Sequence, residues 1–211
     1  MGARSTKIRV LISAGPTREY IDPVRFISND SSGMMGFALA QAARDMDCQV
    51  TLVTGPVSLP TPEGVTRVDV VSAGQMYREV MRRAPRSDLI IMAAAVADWR
   101  PRRMLKEKLK KGPVPPRIEL TRTPDILEEL GRKKRPNQRL VGFALETRNL
   151  EQNAREKLRR KGCGWVVANT ADAIGAETSR AILISRGGKR IKLPKLPKED
   201  LAYIILSNVL S

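Results

Sequence analysis

The stretch DLIIMAAA, residues 88–95, carries one charge, at Asp88, and no polar side chain after it. Successive side chains of a strand point to opposite faces, so a strand that is apolar at every position needs both faces covered. This reads as a strand of a parallel sheet buried between two helical layers, and the sequence on either side repeats the pattern. IRVLIS (8–13), QVTLVTG (49–55), VTRVDVV (65–71), RLVGFAL (139–145) and GWVVAN (164–169) are apolar, mostly β-branched runs of strand length. Helical patterns separate them at 36–46, 73–84 (AGQMYREVMRRA), 124–134 (PDILEELGRKK) and 150–161 (LEQNAREKLRRK). Strand and helix alternating at this spacing predict βαβ units, hence an α/β fold with a doubly wound, mostly parallel, Rossmann-like sheet. The tail departs from the alternation. AILISRGGKRIKLP (181–194) reads as a C-terminal hairpin turning at Gly187-Gly188, and KEDLAYIILSNVL (198–210) as a closing amphipathic helix.

The 211 residues, 42% of them hydrophobic, suffice for one compact unit, read as a single domain over 1–211. Apolar runs such as LIIMAAAVA (89–97) fall far short of the ~20 residues a membrane helix needs, and MGARSTK at the start has no apolar stretch behind its charges. No membrane partner and a cytoplasmic location are expected. Cys48 and Cys163 lie far apart without a Cys-x-x-Cys spacing and read as two buried thiols. The chain has no histidine, which excludes hydrolase triads with an imidazole base, most zinc sites and imidazole proton shuttles. Chemistry must therefore run on carboxylates, lysines, amides and backbone N–H groups.

Lys and Arg number 38 against 22 Asp and Glu, a formal charge of +16, which calls for anionic partners: nucleic acid, or small molecules with several phosphates. The excess concentrates in RPRRMLKEKLKK (100–111), GRKKRP (131–136) and REKLRRK (155–161), which also suit a plain solvated surface. With 4% aromatics, a stacking platform for single strands is hard to assemble, so no nucleic-acid partner is expected. A basic nucleic-acid-binding Rossmann-like module remains the alternative reading.

In an open parallel sheet, ligands bind beyond the carboxyl ends of the strands. The segments there are AGPTREYIDPVRFISNDSSGMMG, AAAVADWRP with KEKLKK, FALETRN and NTADAIG. Gly33 and Gly36, at a helix start behind Ser31 and Ser32, offer free N–H groups and the positive end of the helix dipole to a phosphate or carboxylate; the same residues also read as mere helix caps. GxGxxG does not directly follow the first strand, so an NAD site is not expected. Lys157 and Lys161, four apart on a helical pattern, would project from one face as a clamp on a polyphosphate, or simply be solvated. Lys108 sits on a long Lys/Pro-rich segment, 100–117, as a cation able to close over a ligand. Asp98 follows a strand end, where a carboxylate can take a ribose hydroxyl or Mg²⁺.

Together, ISAGPTREYIDPVRFISNDSSGMMGFALA, LVTGPVSLPTP, MAAAVADWRP with KEKLKK, TPDIL and VGFALET resemble the phosphopantothenoylcysteine synthetase family of coenzyme A biosynthesis in its bacterial form, over essentially residues 8–210. The resemblance implies a ligase that activates the carboxylate of 4′-phosphopantothenate with CTP and Mg²⁺, giving an acyl-cytidylate and pyrophosphate. L-Cysteine then displaces CMP to form the amide. It implies that Asn29 contacts the activated acyl group, that Asp98 contacts the nucleotide, and that Lys108 reaches the triphosphate. Pro124, Asp125, Ile126 and Leu127 would line the nucleotide, Phe143 would lie against it, and Lys157 and Lys161 would be paired behind it. Gly15 would sit in a strand-end turn near the nucleotide, and Ala94 and Ala95 would form a backbone strip beside the acyl intermediate. The metal ligands are not identified. Family members are homodimers, so a homodimer is expected, through strands near 117–120 and 181–193. In several relatives a lysine or other polar residue stands where this chain has Met34, so one contribution to anion binding is expected to be missing. Bacterial relatives are often fused to an N-terminal flavin-dependent decarboxylase; a stand-alone synthetase and an excised domain both fit this chain.

Overall fold

A computed structural model describes residues 7–112, 116–170 and 175–211. In chain order the elements are β1 (Arg9–Ala14), β2 (Arg18–Tyr20), β3 (Phe26–Ser28), α1 (Met34–Asp45), β4 (Gln49–Thr54), β5 (Thr66–Asp69), α2 (Ala73–Arg83), β6 (Leu89–Met92), β7 (Trp99–Pro101), β8 (Leu120–Arg122), α3 (Ile126–Lys133), β9 (Arg139–Glu146), α4 (Leu150–Arg160), β10 (Trp165–Thr170), β11 (Thr178–Ser185), β12 (Arg190–Pro197) and α5 (Lys198–Leu210). The central sheet runs β12-β11-β10-β9-β6-β1-β4-β5. The six strands from β10 to β5 pair in parallel, and β11 and β12 add an antiparallel hairpin at one edge. The expected fold class is therefore the observed one.

The period-2 geometry explains why strands apolar at every position lie at the centre. Val10, Ile12 and Ala14 of β1 pack with α1 and α5 on one face, whereas Leu11 packs with α2, α3 and α4 on the other. Leu89 and Ile91 of β6 join the first face, Ile90 and Met92 the second. Both cysteines are buried free thiols, and burial pushes Cys163 up to about 11, so it stays protonated.

The long approach to α1 is occupied by structure that the sequence pattern does not reveal. β2 and β3 form a two-stranded ribbon after β1, and β7 and β8 form another after β6. Each strand has three residues, too few for an alternation to show. Glu19 of β2 is buried and accepts a bond from the Ala73 N–H at the start of α2 (2.7 Å), and Arg18 N donates to Val71 O (2.8 Å), which ties the first ribbon to the domain. β6, read from the sequence as running to residue 95, ends at Met92. Gly15, at φ +70°, bends the chain after β1, and Ala95 N donates to Gly15 O (2.9 Å) outside the regular ladder. The helical pattern at 124–134 begins at Ile126, because Asp125 is the N-cap and accepts the Glu128 N–H at 3.0 Å. The stretch NTADAIG lies only partly in view, since 171–174 are outside the described residues.

Asp88, just before β6, joins three parts of the sheet's amino rim. It accepts from Arg9 N (3.0 Å) and the Arg9 guanidinium (2.8 and 3.0 Å), and lies 3.7 Å from Arg135. The Arg9 guanidinium is the largest influence, and it holds the Asp88 carboxyl down at about 2. A carboxylate whose folded value is depressed stabilises the fold above its unfolded value, ~3.9, and loses that contribution as pH falls towards the folded value. The side chain is 38% exposed, so the gain is discounted for solvent screening: Asp88→Asn should cost ~1 kcal/mol at pH 7 and almost nothing at pH 1.5. Urea unfolding of the two proteins at both pH values measures this; a deficit independent of pH contradicts it.

Candidate functional site

The loops that leave β1 and β6 are stitched together where they emerge. Thr17, fully buried, accepts the Ala97 N–H on its hydroxyl (3.0 Å) and donates its own N–H to Ala95 O (3.3 Å). Ser28 Oγ donates to Thr17 O (2.8 Å), and Asn29 Nδ2 donates to Ala95 O (3.0 Å). The Asn29 amide therefore lies on the Ala94–Ala95 backbone strip. Gly33 stands at φ +79°, and a Cβ there would come 3.3 Å from the Gly15 Cα, so the two turns touch. Gly15, Asn29, Gly33 and Ala95 thus form one junction at the carboxyl rim.

α1 starts at this junction. Gly33 is its N-cap, and no N-cap side chain closes the first turn. The contacts from Ser31 Oγ to Gly33 N (3.4 Å) and from Ser32 Oγ to Met34 N (3.5 Å) are long, which weakens the reading of these serines as plain caps. Gly36 allows close packing: a Cβ there would sit 2.4 Å from the Ala14 Cβ, so only glycine lets α1 lie so near β1. Met34 is the first residue of α1.

A cavity of about 590 Å³ opens beside this junction, above the ends of β6 and β9. Ala94, Asp98, Pro124, Asp125, Ile126, Leu127, Phe143, Lys157 and Lys161, all named from the sequence, line it. Gly15, Asn29, Ser31, Ser32, Gly33, Gly36, Ala95 and Lys108 do not. The sequence reading missed Trp99, Arg122, Thr123 and Arg160. Trp99 and Arg122 are cross-strand partners in the second ribbon, with the guanidinium 5.5 Å from the ring centroid. Thr123 Oγ1 donates to Ala97 O (2.6 Å), which pins the entry to α3 beside the cavity. Trp99, Thr123 and Arg160 fall within the stretches MAAAVADWRP, TPDIL and REKLRRK, and Arg122 within none, but no spacing marks any of the four as a cavity residue.

The two helix lysines do not act alike. Lys161 lies past the end of α4, as its C-cap, rather than on the helix. It is 6% exposed and pairs with both Asp125 and Glu128, the latter at 2.6 Å. Burial alone would lower its pKa, and the two carboxylates more than reverse that. Asp125 is likewise held below the usual carboxylate range: burial opposes its charge, and the bonds from Lys161 and the Glu128 N–H outweigh burial. The expected pair of free ammonium groups is therefore corrected. Lys161 holds the start of α3, and Lys157 faces the cavity with no hydrogen-bond or ion-pair partner among the described residues. Burial pulls Lys157 below the ordinary lysine range, only partly opposed by the fields of Cys163, Glu146, Asp125 and Asp98. A desolvated ammonium facing a cavity favours an anionic occupant.

The Asp98 carboxylate at the cavity wall also has no partner among the described residues. The described residues contain no group of three or more acidic, cysteine or histidine side chains able to hold a metal. Mg²⁺ bound with a nucleotide typically takes one or two carboxylates and otherwise phosphates and water, a donor set that Asp98 fits. No helix among the described residues is long and apolar enough to cross a membrane.

Residues 5–211 match the family described as DNA/pantothenate metabolism flavoprotein C-terminal domain. The coenzyme A biosynthesis bifunctional protein CoaBC of Bacillus subtilis (strain 168) is 44% identical over 205 residues, 95% of this chain and 50% of the relative. The protein of the same description from Vibrio vulnificus (strain YJ016) is 48% identical over 205 residues, 95% of this chain and 51% of the relative. The chain thus spans about half the length of these curated relatives. A crystal structure of the C-terminal domain of CoaBC is 42% identical and superposes with a TM-score of 0.83, over 96% of this chain and 93% of that one. With its whole described sheet, both rim loops and the cavity inside the matched range, this chain belongs to the DNA/pantothenate metabolism flavoprotein C-terminal domain family.

Proposed function

We propose that this chain is a phosphopantothenate–cysteine ligase that uses CTP. The observation that carries the reading is the unpartnered, desolvated Lys157 in a cavity whose rim abuts the Asn29–Ala95 junction, in a chain of this family. The cavity takes the nucleotide and the junction takes the acyl group. A carboxylate oxygen of 4′-phosphopantothenate attacks the α-phosphorus of CTP, the bond to the β-phosphate oxygen breaks, and pyrophosphate leaves. The amine of L-cysteine then attacks the acyl carbon, the bond to CMP breaks, the amine gives up a proton, and the amide remains.

Two anions must meet in the first step. Lys157 offsets the triphosphate charge from the cavity wall, and Lys108 does so from the 102–112 segment. Asp98 would hold Mg²⁺ together with the phosphates, and the ion would neutralise charge on them. Asn29 is fixed by its bond to Ala95 O, which leaves the amide oxygen to accept from the incoming amine. A cytoplasmic location belongs to this reading.

The same reading includes a homodimer. Val24, Phe26, Trp99, Met104, Leu105, Ile118 and Leu120 are exposed apolar side chains on or beside the two small ribbons. A patch of this kind is expected of a surface covered by a second copy. The nucleic-acid alternative loses support because acidic neighbours pair with cations in two of the three basic segments: Glu129 with Arg132 and Lys133, and Glu151 with Arg155.

Purified protein given Mg²⁺, 4′-phosphopantothenate, L-cysteine and each of the four nucleoside triphosphates in turn tests the function. Pyrophosphate and phosphopantothenoylcysteine are expected with CTP. Absence of pyrophosphate with all four triphosphates refutes the ligase, and faster turnover with ATP refutes the nucleotide.

A further inference from the structure

Asp22 is a fully buried carboxylate in the turn between β2 and β3, and it does not line the cavity. Its Oδ1 accepts the N–H groups of Val24 and Arg25, each at 2.8 Å, which closes the turn. Its Oδ2 has a different task. It accepts Arg25 Nε (2.9 Å) and Nη2 (2.5 Å), and also the N–H of Leu109 (3.1 Å), 87 residues away. Arg25 Nη2 in turn donates to Leu109 O at 2.7 Å. Both backbone groups of the residue after Lys108 are therefore held by one ion pair, between the buried Asp22 carboxylate and the half-exposed Arg25 guanidinium. A second tie, Leu105 N to Ile21 O (2.9 Å), grips the segment four residues earlier.

We propose that Asp22 and Arg25 form a latch that docks the 102–112 segment on the 21–25 turn and thereby positions Lys108 for the reaction; the proposal rests on the role given to Lys108 above. A turn by itself needs only the two Oδ1 bonds, so the reach of Oδ2 and Arg25 to Leu109 calls for another reason. The segment supplies one. Residues 102–112 form no helix or strand, and they carry Arg102, Arg103, Lys106, Lys108, Lys110 and Lys111 against Glu107 alone. Such a run repels itself and gains little by packing, so its position depends on anchors. A buried anion meeting it at Leu109 fixes the root of Lys108 while leaving the ammonium exposed. The Arg25 guanidinium and the surrounding N–H groups hold the Asp22 carboxyl well below the usual carboxylate range, so the latch stays charged at any working pH. The same turn leads into β3 and on to Asn29, so one anchor sets the geometry of both loops.

The test uses hydrogen exchange of the backbone amides of 104–112 together with steady-state pyrophosphate release. Lys108→Gln is measured first in the unmutated background: an unchanged rate there refutes the role of Lys108 itself, which separates that failure from failure of the latch. Asp22→Asn is then compared with Arg25→Ala, which removes a half-exposed side chain and guards against misfolding of the buried variant. In both, exchange of 104–112 should rise at least tenfold while that of β1 and β6 is unchanged, and kcat should fall about tenfold. Adding Lys108→Gln to either variant should lower kcat by clearly less than it does alone, the signature of two residues acting through one another. Unchanged exchange, a faster reaction, or losses that multiply in full would overturn the proposal.

Discussion

Lys108→Gln is expected to lower kcat for pyrophosphate release by about 30- to 1000-fold, or ~2–4 kcal/mol, the range found when one preorganised charge or donor is removed from a transition state. Lys108 is exposed and has no hydrogen-bond or ion-pair partner among the described residues, so the fold loses nothing with its charge. It also stands outside the cavity lining, which argues against a large share in ground-state binding. The loss should therefore fall on kcat, with the KM for CTP changed only a few-fold, because an interaction made only in the transition state affects kcat and kcat/KM alike. Steady-state kinetics at varied CTP, with thermal unfolding as a control, measures this. A variant with normal kcat and a large KM would show that Lys108 acts by holding the triphosphate in the ground state.

Lys157→Met should do the opposite to binding and to stability. The folded protein keeps this ammonium desolvated and without a partner among the described residues, so its pKa lies below that of the unfolded chain. A lysine depressed in this way costs stability while it is protonated, and the cost fades as pH rises towards the unfolded value, ~10.4. Methionine fills a similar volume without the charge, so the apo variant should be more stable at pH 7, by ~1 kcal/mol after allowance for partial exposure, and the gain should fade as pH rises towards ~10.4. Affinity for CTP should fall about 10- to 100-fold, since charge-assisted bonds contribute ~1.5–3 kcal/mol. The measurement is a melting curve with and without CTP. The variant should start higher and respond less, because ligand stabilisation follows the ratio of ligand concentration to Kd. A lower apo melting point would show that Lys157 has a structural counter-charge after all.

The contrast between Lys157 and Lys161 shows how far a linear reading reaches. Four-residue spacing puts both near one helix face, and that much was legible. What separates them is Glu128 and Asp125, 33 and 36 residues before Lys161, which neutralise Lys161 and leave Lys157 bare. Thr17 sits within the first quoted motif with nothing to mark its own role, yet it bonds to both Ala95 and Ala97 and joins the two loops that form the site. Asn29 was identifiable by resemblance, whereas its bond to Ala95 O depends on the β2–β3 ribbon delivering it there. Asp22 reads as an ordinary turn residue until Leu109 is found against it.

By itself the sequence determined the doubly wound sheet, its closing hairpin and helix, the absence of imidazole chemistry and the family to which the motifs point. Burial on both faces writes itself into every position of a strand such as LIIM, and an unbroken apolar run of that kind is visible in one dimension. Which charges are cancelled, which stand free in the cavity and which loop is tied to which turn were decided only in the tertiary structure. Those outcomes depend on distances of about 3 Å between residues tens of positions apart, and such distances exist only once the sheet has brought its loops to one rim.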